Sequence, residues 1–104
     1  MTESWRRGAA TPMPARTMAA GLAVSDPVPR SVARMRELVD DMLLVEESSL
    51  VEAMRLAATT LGTLLEPSGA AGLAALLEHD IPGDRVATIL TGSMLRPEHF
   101  ALLG

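Results

Sequence analysis

The sequence predicts an α/β fold in which helices pack on a short parallel or mixed sheet. Short apolar runs at residues 41–45, 63–66 and 85–90 alternate with segments of helical periodicity, which is typical of that class. Hydrophobic residues make up 48% of the chain, yet only one Phe, one Trp and no Tyr contribute to them. The core is therefore expected to consist of small aliphatic side chains. A length of 104 residues predicts one domain or part of one.

The first quarter of the chain carries weak signals. Residues 1–16 contain one glycine, two prolines and no periodicity, so they are predicted to be an irregular lead-in to a domain part over residues 17–104. The small apolar residues 17–24 predict either a short strand or a turn around Gly21.

The first predicted helix begins at Pro29, because proline is well tolerated in a first helical turn. It runs to about Val39, and its apolar face comprises Val32, Met35, Leu38 and Val39. The compact apolar run at residues 41–45 predicts a buried strand.

The second predicted helix follows the tetrapeptide Ser49-Leu50-Val51-Glu52, which fits a capping box. Its apolar stripe comprises Leu50, Met54, Ala57, Ala58 and Leu61. Gly62 is expected to end it in a left-handed conformation.

The third helix is predicted from Pro67-Ser68 to about Glu78. It has no polar side, which predicts that it is internal. Residues 85–90 are apolar without alternation, which predicts a strand covered on both faces. Residues 97–103 are expected to form a last helical turn or two.

Candidate site residues lie where predicted strands end, because ligands of open α/β sheets bind beyond the carboxyl ends of strands. Thr91 could direct its hydroxyl at a ligand there, and Gly92 would let the ligand approach closely. Glu66 stands at a helix start, where the helix dipole favours a carboxylate. It is either an anion that anchors the backbone, which the residues alone favour, or a partly buried carboxylate beside a cofactor.

Several functional classes are disfavoured. The net charge is −4 with no long basic cluster, which argues against nucleic-acid binding. The absence of cysteine excludes disulfides and thiolate catalysis. His79 and His99 lack ligand-like spacing, so no metal site is expected. No apolar run reaches the about 20 residues of a membrane span, and no secretory signal is recognised, so a cytoplasmic protein is expected.

Four stretches taken together resemble the fold type II pyridoxal-phosphate enzymes: TMAAGLAV, VDDMLLVEESSLVEAMRLA, TLLEPSGAAGLAALLEH and RVATILTG. Within that family the chain is most similar to the C-terminal part of threonine/serine dehydratases, also called threonine ammonia-lyases, with serine racemase and threonine synthase nearby. The resemblance implies a fragment of the large domain of such an enzyme.

The resemblance also implies roles for four residues at a cofactor site. Thr91 matches the hydroxyl residue that hydrogen-bonds the pyridine nitrogen of pyridoxal 5'-phosphate, leaving the ring unprotonated, and Gly92 follows it. Gly21 matches a glycine whose backbone lies near the cofactor. Glu66 matches the glutamate beside the cofactor ring. No residue is assigned a catalytic role.

Some residues depart from the family pattern. Ala20 replaces an aspartate, and Ser93-Met94 replaces a Gly-Asn pair. The larger departure is that all nine basic residues are arginine, so the chain has no Schiff-base lysine. It also lacks the glycine-rich loop that holds the cofactor phosphate.

These departures lead to three functional hypotheses. The first is a truncated dehydratase-type lyase, whose parent reaction is β-elimination of Ser or Thr to a 2-oxo acid and ammonia; this chain alone would be inactive and would not bind the cofactor. The second is a non-catalytic chain that completes a split enzyme by docking onto an N-terminal half or a homologous full-length enzyme. The third is an unrelated small α/β binding module.

Overall fold

The computed structural model describes all 104 residues, and the chain divides into two compact units. The first unit comprises Met1–Thr17 and Gly21–Leu44; the second comprises Met18–Ala20 and Val45–Gly104. None of the five α-helices combines the length and the apolar character that crossing a membrane requires.

The first unit begins with helix α1, Thr2–Arg7, so the irregular lead-in predicted for residues 1–16 is wrong over these six residues. The helix is anchored by Ser4, which is fully buried. The Ser4 hydroxyl donates to the carbonyl oxygen of Thr11 and accepts the Thr11 backbone N–H at 2.9 Å. This pair of bonds ties the loop after α1 back onto the helix. The hydrophobic pattern did not predict α1, because six residues are too few to show a helical period.

The second helix of this unit, α2, spans Pro29–Leu38, which confirms the first predicted helix and its proline start. It ends one residue before the expected position, because Val39 adopts an extended conformation. Of its apolar face only Val32 is buried, whereas Leu38 is 65% exposed. Between α1 and α2 lies a 3-10 turn, Ala20–Leu22, where a strand or a turn was expected.

The core of the second unit is built on α3, Glu47–Leu56, which continues as a π-helical turn, Ala57–Leu61. Leu50, Ala53, Met54 and Ala57 each retain no more than 2% exposure. The predicted stripe is therefore correct as far as Ala57, but Leu61 at its end is exposed. This face contributes half of the buried residues in the hydrophobic core cluster of the unit.

The capping box predicted at Ser49 is wrong, because α3 begins two residues earlier, at Glu47. The side chain of the N-cap residue, Glu46, makes no capping hydrogen bond to the helix. Instead the Glu46 backbone N–H donates to the Glu78 carboxylate at 2.9 Å. The acceptor at this helix start is thus supplied by a residue 32 positions away in the sequence rather than by the local motif.

Gly62 ends the helical segment as predicted, in the left-handed conformation with φ 64°. Its N–H donates to the carbonyl of Ala57, and the Thr63 N–H donates to the same carbonyl at 3.3 Å. Two donors therefore satisfy a carbonyl that the helix end leaves unpaired.

The helix predicted after Pro67 is present as a 3-10 turn, Ser68–Ala70, followed by α4, Ala71–Glu78. It packs against α3 through small residues, and both Ala70 and Ala74 are fully buried. The prediction of an internal helix is wrong for this chain, because Leu77 on the same helix is 43% exposed. Only one side of α4 is covered.

The predicted sheet is absent: residues 41–45, 63–66 and 85–90 contain no strand. A strand needs a neighbour with which it can exchange a run of backbone hydrogen bonds. One backbone bond, from the Glu66 N–H to the carbonyl of Thr91, joins the second stretch to the residue that follows the third, and no ladder extends from it. The coverage expected for residues 85–90 is also wrong, since every one of them is exposed, Ile89 to 84%.

The chain ends in α5, Pro97–Leu103, as expected. This helix packs on α3, and Leu103 contacts the core cluster. The Arg55 guanidinium donates to the Leu102 carbonyl at 2.6 Å, which binds the last turn of α5 to α3.

Replacing Gly62 by Ala should lower the free energy of unfolding by about 1 kcal/mol, because a left-handed conformation costs an L-residue about that much. No atom lies within 4 Å of the added Cβ, so a steric clash does not contribute. Urea denaturation measures the loss. Gly104→Ala is the matched control, since its Cβ also meets open space and its φ is not positive. Equal stability of the two variants would show that the Gly62 backbone carries no such cost.

Glu78 should give the folded unit a pH dependence. Hydrogen bonds from the Glu46 N–H and the Ser49 hydroxyl lower the pKa of Glu78 below its ordinary value of 4.5. A lowered carboxyl pKa stabilises the fold above the unfolded-state pKa, and this stabilisation is lost as the pH falls through the folded-state value. The free energy of unfolding of the wild type should therefore fall more steeply below about pH 4.5 than that of Glu78→Gln, which keeps an acceptor oxygen but does not titrate. Parallel pH profiles would refute this role of Glu78.

Candidate functional site

Glu66 is placed at the point where an extended segment turns into a helix. The Ala70 N–H is shared between the carbonyls of Glu66 at 3.1 Å and Pro67 at 3.2 Å, and the second of these bonds closes the 3-10 turn before α4. The side chain is only 8% exposed, although it carries a carboxyl group. Burying a carboxyl group is unfavourable unless hydrogen bonds or opposite charges compensate for the lost water. The groups that contact Glu66 therefore determine the chemistry of the site.

Thr91 is the observed partner of Glu66. Its hydroxyl donates to Glu66 Oε1 at 2.9 Å, and its carbonyl accepts the Glu66 backbone N–H at 3.1 Å. We call this pair of bonds the Glu66–Thr91 clamp. It brings together two of the predicted site residues that lie 25 positions apart. Thr91 as a residue remains exposed, although its hydroxyl is bonded to the buried Glu66.

Two glycines allow the backbones at this site to approach each other closely. A Cβ added to Gly69 would collide with the carbonyl oxygen and the Oγ1 of Thr91, and one added to Gly92 would collide with the Leu64 carbonyl. Gly92 was among the predicted site residues; Gly69 was missed. One feature of the sequence could have indicated Gly69. It lies three residues after Glu66, inside the first helical turn, where glycine is a poor helix former and a different reason for its presence is needed.

The remaining predicted site residue, Gly21, lies in the 3-10 turn Ala20–Leu22 and belongs to the first unit. Its assignment to a cofactor site stays a prediction that rests on the resemblance alone.

The two histidines have local partners. His79 Nε2 lies 3.8 Å from Glu78 Oε1. His99 is buried, and its Nδ1 accepts the Arg96 backbone N–H at 3.0 Å, which caps the start of α5. No group of three or more His, Cys, Asp or Glu side chains is placed to hold a metal ion.

The arrangement offers a hydroxyl on an exposed residue, held by a buried carboxylate. Gly92 beside it lets the backbone of Thr91 lie close to that of Leu64. The chain contains no lysine, so it offers no side-chain amine that could bond covalently to a carbonyl group.

Comparison with known proteins gives a consistent result. A family model described as "Pyridoxal-phosphate dependent enzyme" matches residues 1–92. The chain is 41% identical over 71 residues to the L-threo-3-hydroxyaspartate ammonia-lyase of Pseudomonas sp, which covers 66% of this chain and 22% of that protein. It is 32% identical over 94 residues to the L-threonine ammonia-lyase of Thermotoga maritima, covering 88% of this chain and 23% of that protein.

A solved structure is similar as well. The crystal structure of a threonine deaminase from T.th. superposes with a TM-score of 0.69 and 39% identity, covering 75% of this chain and 27% of that one. The chain thus spans about a quarter of the length of these relatives.

Replacing Gly69 by Ala should break the Glu66–Thr91 clamp, because the new methyl group meets backbone as well as side-chain atoms of Thr91. A clash with backbone cannot be relieved by rotating a side chain, so we expect a loss of about 1–3 kcal/mol in the free energy of unfolding. The NMR signals of Thr91 should shift.

Gly72→Ala is the matched control for Gly69→Ala. The three atoms nearest to its added Cβ all belong to the side chain of Thr88, an exposed residue whose hydroxyl can rotate away, and no backbone atom is among them. If Gly72→Ala proved as damaging as Gly69→Ala, the clamp would not be the element that glycine protects.

Proposed function

Because the chain belongs to the family of pyridoxal-phosphate dependent enzymes, we propose that it supplies the wall of a pyridoxal 5'-phosphate site that borders the cofactor ring. Thr91 and Gly92 form the edge that faces the ring, and Glu66 holds Thr91 in place from behind. The observation that carries this proposal is the Glu66–Thr91 clamp.

The residues of this chain fit one side of the cofactor and leave its other requirements unmet. A hydroxyl carried by an exposed residue suits a heteroaromatic ring nitrogen as a hydrogen-bonding partner. When bound, the cofactor supplies an electron sink for the bonds at the α carbon of an amino acid. The amine that would hold the cofactor and the loop that would cradle its phosphate must come from segments other than these 104 residues, because the chain has no lysine and no glycine-rich phosphate loop.

The reaction we propose for the assembled protein is β-elimination from a β-hydroxy α-amino acid such as threonine or serine. The α proton and the β hydroxyl leave as water, and hydrolysis of the product then releases ammonia and a 2-oxo acid. The names of two relatives support this class, since both are ammonia-lyases of amino acids with a β hydroxyl. We assign no catalytic residue to this chain, and we propose that by itself it is inactive and does not retain the cofactor.

A second hypothesis is that the chain is a non-catalytic partner that completes a split enzyme. It would dock onto an N-terminal half or onto a homologous full-length enzyme. Three exposed apolar side chains in extended segments favour a docking role: Leu64 at 46%, Val86 at 49% and Ile89 at 84% exposure. Membership of the family argues against the third hypothesis, an unrelated α/β binding module.

The isolated chain, mixed with pyridoxal 5'-phosphate and L-threonine, should produce no 2-oxo acid and should leave the absorbance spectrum the same as that of the cofactor and L-threonine without protein, since it has no lysine side chain with which to hold the cofactor. Spectrophotometry and a dehydrogenase-coupled assay measure both quantities. Turnover by this chain without any lysine would overturn the proposal.

The complementary experiment adds the part of the T. maritima L-threonine ammonia-lyase that does not align with this chain. We expect the mixture to form 2-oxo acid, and Thr91→Val to reduce the rate while Thr63→Val does not. Thr63 is a suitable control, because its hydroxyl donates only within its own turn, to the Leu61 carbonyl. Binding of the two parts without turnover would favour the non-catalytic partner.

A further inference from the structure

We propose that Glu47 is a positioning residue of the proposed cofactor site. It holds the segment Met18–Ala20 on the buried cluster that surrounds Glu66, and through that cluster it keeps the Glu66–Thr91 clamp in place. The inference rests on the proposed function, because it takes the clamp as part of the cofactor wall.

The first argument is a hydrogen bond that crosses 29 positions of the sequence. The Met18 backbone N–H donates to Glu47 Oε2 at 3.0 Å. Glu47 is the first residue of α3, so its side chain is carried by the helix on which the core of the unit is built. Glu47 is partly buried, which reduces the competition from water for the same acceptor. The bond requires an acceptor oxygen and not a charge.

The second argument is that apolar contact alone holds this segment weakly. Its one buried side chain is that of Ala19, at 3% exposure, and Met18 packs against the cluster only in part. A single methyl group removes little apolar surface from water, so its burial contributes little free energy. Ordering the segment also costs conformational entropy. The hydrogen bond to Glu47 therefore supplies a substantial share of what keeps Met18–Ala20 in place.

The third argument links the segment to the clamp. Ala19 belongs to the same buried cluster as Leu65 and Ala70. Leu65 directly precedes Glu66, and the Ala70 N–H donates to the Glu66 carbonyl at 3.1 Å. Because buried side chains are closely packed, withdrawal of Ala19 would leave a void that its neighbours relax to fill. That relaxation would reach Glu66 from both sides along the chain.

The start of α3 is thereby a junction of three segments. Glu47 binds Met18 through its side chain, and the neighbouring Glu46 binds Glu78, at the end of α4, through its backbone N–H. Both bonds hold a segment that packs on the same buried cluster. Glu47 therefore acts on the site through the core, and its loss should weaken retention of the cofactor more than the steps that make and break bonds.

The first test uses the isolated chain and three variants. Glu47→Met removes the acceptor, Glu47→Gln keeps an acceptor oxygen, and Glu52→Met removes a carboxyl group from an exposed position of the same helix. The readouts are hydrogen exchange of the Met18 amide and the NMR signals of Leu65 and Thr91. We expect Glu47→Met to speed the exchange about tenfold, the equivalent of one hydrogen bond, and to shift both signals. The other two variants should stay close to the wild type.

The second test adds the part of the T. maritima L-threonine ammonia-lyase that does not align with this chain. We expect Glu47→Met to raise the concentration of pyridoxal 5'-phosphate that gives half-maximal activity about three- to tenfold, as the loss of one hydrogen bond allows. The rate at saturating cofactor should stay within about twofold of the wild type. Glu47→Gln should restore retention, and Ala19→Gly, which withdraws the buried methyl group by another route, should act in the same direction as Glu47→Met.

Contrary results separate the inference from the function on which it rests. An unprotected Met18 amide in the wild type would overturn the inference, since the bond to Glu47 would then be absent. Equal losses in Glu47→Gln and Glu47→Met would overturn it too, because the charge at the helix start and not the acceptor would be responsible.

Faster exchange in Glu47→Met with unchanged retention of the cofactor would show that Glu47 only supports the fold, and would leave the proposed function intact. Failure of the wild-type mixture to retain the cofactor would overturn the proposed function, and with it the site that Glu47 is inferred to serve. None of these outcomes depends on Glu47→Met alone, because Ala19→Gly tests the same displacement if that variant does not fold.

Discussion

The packing of α4 on α3 is the constraint on which the rest of the second unit depends. Met54 and Ala53 of α3 are completely buried, and so are Ala70 and Ala74 on the opposing segment. Because three of these four side chains are single methyl groups, the two helices can approach closely, and dispersion contacts across the interface are dense. The chain enters α4 immediately after Glu66, so the interface that fixes α4 also fixes the position of that carboxylate. Mobility in α4 would be transmitted directly to the site.

The same interface explains how an exposed residue such as Thr91 can be held in one place. Its segment makes no strand and has little burial of its own, so it must be positioned from the side of α4. Gly69 and Gly72 let the start of α4 lie against the backbone of Thr91 and the side chain of Thr88. The clamp then joins this segment to Glu66 by both a backbone and a side-chain bond. The position of Thr91 thus derives from the helix core, although the residue as a whole is exposed.

Helices could be predicted from this sequence far better than strands, for a physical reason. A helix satisfies its own backbone, so Pro29 and Gly62 mark boundaries that local conformation enforces. A strand needs a neighbouring strand, and the apolar run at residues 85–90 contains no information about whether one is present. The capping box failed similarly, because the Glu46 N–H is satisfied by Glu78 from a distant position. At the site, residue types indicated Thr91 and Glu66, but only the structure shows that they bind each other.

Under the proposed function, one complementary segment would both cover the stretches where the predicted strands are missing and supply the missing chemistry. Leu64 and Ile89 lie in two of those stretches and are 46% and 84% exposed. The same chain lacks the amine that pyridoxal-phosphate chemistry requires. Covering apolar side chains contributes about 25 cal/mol for each Å² removed from water, whether or not a cofactor is present. Assembly with a complementary segment should therefore precede cofactor binding, and the Glu66–Thr91 clamp, already formed within this chain, would be one preorganised side of the resulting site.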